Sequence, residues 1–161
     1  MRFLVNHRWL ALCALLGLGG CAVQVHGLVE PLAGGAGLQL PDGTRLRLIS
    51  IEADDVDLSA LDGYLAAFEG QRVFRSLRVS DWAVREGIHG MTAWVGELRS
   101  MGARMGINDR NSGSFYFLDP SASAILHDYE GEVVLVEGYV DGPNQVHVLY
   151  WLPLHPARAP K

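Results

Sequence analysis

The sequence predicts a mainly β fold of two similar halves, each a small barrel with one short helix. Three observations carry that expectation. Short apolar runs with strand-like alternation recur between turn signals. Their order, strand, strand, strand, helix, strand, strand, occurs twice. Finally, AAFEGQRVFRSL at residues 66–77 and HDYEGEVVLVEG at residues 127–138 share an aromatic-Glu-Gly-x-x-Val core. The expected halves are residues 21–91 and 92–154. Two arrangements fit the pattern: a small barrel in each half, or a tandem duplication that shares a central strand in one larger barrel made from both halves, with TAWVGELRSM as the last strand of the first half and the first strand of the second.

The N-terminal residues stand outside that fold. Arg2 and Arg8 give a basic start, and WLALCALLGLGGC is apolar, too short to span a bilayer, and ends in small residues, as a secretory signal does. Its end, Leu18-Gly19-Gly20-Cys21, resembles the lipobox of bacterial lipoproteins. That resemblance implies cleavage before Cys21, a thioether-linked diacylglycerol and an amide-linked acyl chain on that cysteine, and stable anchoring through several chains. Ala22 stands where an aspartate would favour inner-membrane retention, so the implied address is the outer membrane, facing the periplasm.

Loss of the 20 signal residues takes the chain from 161 residues to 141 and its 13 basic side chains to 11, against 18 acidic ones, a formal balance of −7. That balance argues against a nucleic-acid binder, which needs a dominant basic surface. Cys13 lies in the signal and Cys21 is the lipidation site. The mature domain therefore has no thiol for a disulfide, a zinc cluster or a nucleophile.

In the first half, AVQVHGLVEPL and LQLP read as strands around GGAG, Asp42-Gly43 turns the chain, and TRLRLIS puts Leu46 and Leu48 on one face and Arg45 and Arg47 on the other. After the acidic EADDVD, LSALDGYLAAF places Leu58, Leu61, Leu65 and Phe68 on one helical stripe, with Asp57 as N-cap and Gly70 as stop. QRVFRSLRV returns to strand. In the second half, TAWVGELRSM, ARMGIND and SFYFL read as strands with NSG as a turn. Asp119 before Pro120 starts a helix, because its side chain caps free amides and proline lacks the amide that would go unpaired there. SASAILHDY stops at Gly131, then EVVLVEGYV and QVHVLYWLPL flank the turn DGPN. PLHPARAPK is expected to be a mobile tail.

The register pairs Gly27 with Gly96, Gly37 with Gly106, Gly43 with Gly113, Leu48 with Leu118, Leu65 with Leu126, Glu69 with Glu130, Gly70 with Gly131 and Val73 with Val134. The element order is that of the OB-fold. The phrase Leu126, Tyr129, Gly131, Val134, Val136, Gly138 resembles small OB-like bacterial envelope proteins, over roughly residues 92–154. It describes how a helix stops at glycine and hands over to a curved strand, and implies no chemistry.

Several clusters are candidates for function. Glu52, Asp54, Asp55 and Asp57 offer the closely spaced carboxylates that a hard cation such as calcium needs, without the spacing and glycine of a calcium loop; the alternative is a solvated loop with a helix cap. Asp109, Asn111, Ser112 and Ser114 surround Gly113 as a hairpin turn or a ligand contact. His26, His89, His127, His147 and His155 lack tight metal spacing. No G-x-S-x-G elbow is present, and no cofactor is expected. Arg45, Arg47, Arg72, Arg75 and Arg78 could line a face for carboxylate, phosphate or sulfate, or protect a sheet edge. Trp94, Tyr139, Tyr150 and Trp151 could stack on sugar rings or pack a core. Phe115 and Phe117 occupy the positions of Arg45 and Arg47, so the other half of the chain is expected to cover that strand. The expected function is non-catalytic: a lipid-anchored β domain that binds an envelope protein, a glycan or a small anion. Beside it stand an assembly accessory of an envelope complex and an unrecognised metal-dependent hydrolase.

Overall fold

The computed structural model describes residues 22–50 and 56–154. The described chain is mainly β, with two sheets and one short α-helix. The first sheet holds β1 (Ala22–Leu32), β2 (Gly35–Gln39), β3 (Arg45–Ser50), β4 (Leu65–Val73) and β5 (Ser76–Glu86). The second holds β6 (Thr92–Met101), β7 (Arg104–Asp109), β8 (Phe115–Leu118), β9 (Val133–Gly142) and β10 (Gln145–Pro153), with α1 (Pro120–Leu126) between β8 and β9.

The two sheets are wired alike. In the first, β1 pairs with β2 and β4, β3 pairs with β2 and runs parallel to β5, and β4 pairs with β5, so the ladders close in a ring. In the second, β6 takes the place of β1, and β8 runs parallel to β10. Strand alternation sets the inside. Leu46, Leu48, Leu77 and Val79 are buried while Arg45, Arg47 and Arg78 between them are exposed. Leu98, Ile107, Leu126, Val134, Val136 and Val146 fill the second core.

TAWVGELRSM is not shared. β6 pairs only with β7 and β9, and the first sheet closes without it because β4 already occupies the free edge of β1. The halves are joined by packing. Successive residues of β9 from Val134 to Gly138 are all buried: Val134 and Val136 point into the second core, while Leu135 joins the first core with Val95 and Leu154. The strand covered on both sides is therefore β9, and its cover is the first half. On β8, Phe115 and Phe117 are only half-buried. They pack edge to face at 5.2 Å, and the Arg104 guanidinium lies 4.0 Å from the Phe117 ring centre.

The first-half helix is also corrected. Asp57 does cap, accepting from the Ser59 amide at 2.9 Å, but only a single 3-10 turn follows, Leu58–Leu61. Gly63 then takes a positive φ of 83° and the chain enters β4, leaving Leu65 exposed. A helical stripe and a turn-plus-strand share the Leu58, Leu61, Leu65, Phe68 spacing, and Gly63 decides between them. Gly131, φ 84°, does the same after α1 and the 3-10 turn His127–Tyr129. QRVFRSLRV is likewise two strands, since Val73 pairs with Ser76 around a two-residue turn at Phe74-Arg75.

These facts move the internal register. Gly63 matches Gly131, and Gly70 matches Gly138 rather than Gly131. A Cβ at Gly70 would run into the Arg78 carbonyl oxygen, and one at Gly138 into that of His147. Each of these close approaches sits beside a one-residue irregularity in the partner strand, at Ser80 and at Leu149. Glu69 accordingly corresponds to Glu137, and the pairings of Leu65 with Leu126 and Val73 with Val134 do not hold.

Candidate functional site

One end of the first sheet gathers the five arginines. Ala22, the first residue of β1, pairs with Gln71 near the end of β4; the β4–β5 turn follows, and β3 starts alongside β5 with Arg47 opposite Ser76. Arg45, Arg47, Arg72, Arg75 and Arg78 are all exposed around this pole. Arg45 pairs with Glu30 at 3.0 Å, and Arg47 donates to the Gly34 carbonyl at 3.1 Å. The Arg47 amide donates to the Arg75 carbonyl at 2.9 Å, tying the start of β3 to the turn. Asp42, in the β2–β3 turn, is held below the usual carboxylate range, first by the Thr44 amide and hydroxyl and then by the charge of Arg72. At the tip, Phe74 is 89% exposed with φ 57°, and Val73 beside it is also exposed. Chemically, the pole offers a cationic rim around an uncovered apolar tip.

A second cluster lies between the halves, and sequence reasoning missed it. Glu137 on β9 is fully buried. The Tyr64 hydroxyl donates to its Oε1 at 2.6 Å, and the His89 amide and Nδ1 lie 3.2 Å from its Oε2. Burial, then the bond to Glu137, push the Tyr64 hydroxyl well above its ordinary range, so it stays protonated. The His89 ring packs 4.8 Å from Tyr150. Gly87 is required here, because a Cβ would strike the Glu137 carboxyl. Tyr64 follows the first half's 3-10 turn, His89 sits in the connection between the sheets, and Glu137 belongs to the second. This trio fastens the two halves at a defined geometry. Its signal in the sequence is the single charge that ends the apolar run Val133-Val134-Leu135-Val136.

The other candidates are dispersed. Glu52, Asp54 and Asp55 lie outside the described residues, and Asp57 spends its carboxyl on Ser59. Asp109 accepts from the Ser112 amide at 3.0 Å and hydroxyl at 2.6 Å, which makes its cluster with Ser114 the framework of a turn. His26 is on β1, His127 follows α1, and His147 lies 3.7 Å from Asp119; His155 is outside the described residues. Among the described residues no group of three His, Cys, Asp or Glu could hold a metal ion. The aromatics make no single platform. Trp94 is buried 5.8 Å from Tyr116, Trp151 packs 4.9 Å from Tyr129, and Tyr139 stands on the outside 4.9 Å from His147. A groove of about 670 Å³ beside α1 is lined by Arg104, Leu118, Ser123, His127 and Gln145, but Arg104 is already engaged by Phe117 and by Gln145 at 3.1 Å. Compared with known proteins, the chain matches no family model and no curated protein sequence.

Proposed function

We propose that the chain is a bacterial envelope lipoprotein, anchored through lipid on Cys21 to the outer membrane and facing the periplasm. Its β domain is two OB-like small barrels in tandem, a non-catalytic module that binds an anionic envelope partner. The ring-closed strand order with a crossover turn or helix after the third strand supports the OB-like reading of both halves. The observation that carries the function is the gathering of Arg45, Arg47, Arg72, Arg75 and Arg78 around the pole where the mature chain begins. Guanidinium groups suit carboxylate, phosphate and sulfate because their planar donor forks match such oxygens.

The test takes the full chain from membranes. Intact mass is expected to show acyl chains on Cys21, and Arg47→Glu with Arg78→Glu is expected to abolish salt-sensitive retention on an immobilised polyanion. Retention unchanged by the double reversal would overturn the binding reading, and an unacylated Cys21 would overturn the anchor.

A second reading, an assembly accessory with a protein partner, is favoured by one observation. Tyr139, Val140 and Leu149 form exposed apolar surface on the β9–β10 hairpin. In that case a pull-down from membranes returns a stoichiometric protein, and Val140→Asp with Leu149→Asp loses it.

A further inference from the structure

We propose that the β4–β5 tip inserts into the surface of the bilayer that anchors the chain. Val73 and Phe74 enter the headgroup–acyl boundary, and Arg72, Arg75 and Arg78 lie against anionic headgroups. The proposal rests on the reading of Cys21 as lipidated, and it names the anionic partner of the arginine pole as the membrane itself.

Four observations carry it. Position is the first: Ala22, the residue that follows Cys21 in the sequence, pairs with Gln71, which is three residues of strand before Phe74. At about 3.3 Å per residue that is on the order of 10 Å, which holds the tip at the bilayer surface once Cys21 is acylated. The second is exposure. Phe74 at 89% and Val73 at 48% are left uncovered by the chain's own fold, Phe74 more than any other large apolar side chain among the described residues. Conformation is the third. Phe74 takes a left-handed φ of 57°, whereas the β9–β10 turn gives its left-handed position to Asn144, a residue that tolerates that region. An aromatic in that strained position is projected away from the sheet. The last is charge. Arg72, Arg75 and Arg78 flank the tip; the acids facing them are Asp42, beside Arg72, and Glu30, held by Arg45, while Glu69 and Asp81 pair further along the hairpin. An apolar tip flanked by arginines is the composition that binds an anionic lipid interface. A lipid anchor alone leaves a domain free to swing; a second contact fixes which face is presented to the periplasm.

The experiment uses the full lipidated chain, reconstituted in vesicles of phosphatidylethanolamine and phosphatidylglycerol. An environment-sensitive fluorophore is placed at Arg75→Cys, with a control at Met101→Cys on the exposed end of β6. Intact mass reports acylation, and a free Cys21 would take a second label. The expected result is a blue shift and loss of iodide quenching at position 75 but not at 101, both reversed by Phe74→Ser. Equal quenching at 75 and 101 with Cys21 acylated overturns the tip and leaves the anchor standing. A second labelled thiol overturns the anchor and the proposal with it. Protection at 75 that appears only when other membrane proteins are added overturns the lipid assignment in favour of a protein.

Discussion

The β4–β5 and β9–β10 hairpins share one backbone plan around their Glu-Gly pairs and differ in their glutamates and their tips, where β9 carries one extra residue at Asp141. Each has a Glu-Gly pair, an irregularity opposite it, and a two-residue turn. In the first half the glutamate is exposed Glu69 and the turn is Phe74-Arg75. In the second it is buried Glu137 and the turn is Pro143-Asn144. Backbone requirements are therefore held in common, while the side chains divide the labour. The second hairpin turns its glutamate inward to fasten the halves, and the first turns an aromatic and arginines outward.

The sharpest way to break this comparison is to delete the two glutamates. Glu137→Ala strips an acceptor from the buried Tyr64 hydroxyl and the His89 amide and is expected to cost about 3–5 kcal/mol in denaturant unfolding, whereas Glu69→Ala should stay within about 0.5 kcal/mol. Equal costs would mean that Glu137 does not fasten the interface. The shared element is tested by Gly70→Ala and Gly138→Ala. Both push a Cβ into a cross-strand carbonyl, and each should cost roughly 1–3 kcal/mol or more by the same assay. A neutral effect at either site would break the register that equates them.

Smaller effects belong to the crossovers. Asp119 caps α1 through the Ser121 and Ala122 amides at 3.0 and 3.1 Å and also accepts from Val148 at 2.9 Å, so Asp119→Ala should cost about 1–2 kcal/mol. Burial works to raise its pKa, but these amides outweigh it and leave the carboxyl below its ordinary value. A depressed folded pKa contributes stability that is fully present above the unfolded value, about 3.9, and lost as pH falls through the folded one. Unfolding free energies measured from neutral pH into acid should therefore fall less steeply for Asp119→Asn. The smallest change is at the tip, where Phe74→Asn should be neutral or stabilising by up to about 1 kcal/mol in solution, because asparagine accepts a left-handed φ more readily.

Much of this architecture was legible. Alternation in TRLRLIS gave the faces of β3, Asp119-Pro120 marked the start of α1, and Gly27 with Gly96 located the same close approach in both halves, where a Cβ would meet the carbonyl of Gln39 or Asn108. What misled was repetition at short range. Glu-Gly occurs at residues 69, 86, 130 and 137, and the helical appearance of LSALDGYLAAF drew Glu69 to Glu130, seven residues short of its counterpart Glu137. The turn at Phe74-Arg75 carried no glycine, asparagine or proline to announce it. The arginines were legible as a set, since alternation put several on one face, but their place beside the start of β1 depends on the β1–β4 pairing. Glu137 needed a partner from the other half, which no local pattern contains.

The central proposal is that, of two sheets with the same strand order, only the first one's tip meets the membrane. Hydrogen exchange of the full chain purified from membranes, in vesicles against detergent, reads both tips at once. Slowed exchange at residues 72–76 with no change at residues 141–145 is the predicted result. Slowing at both tips, or at residues 141–145 alone, would contradict it.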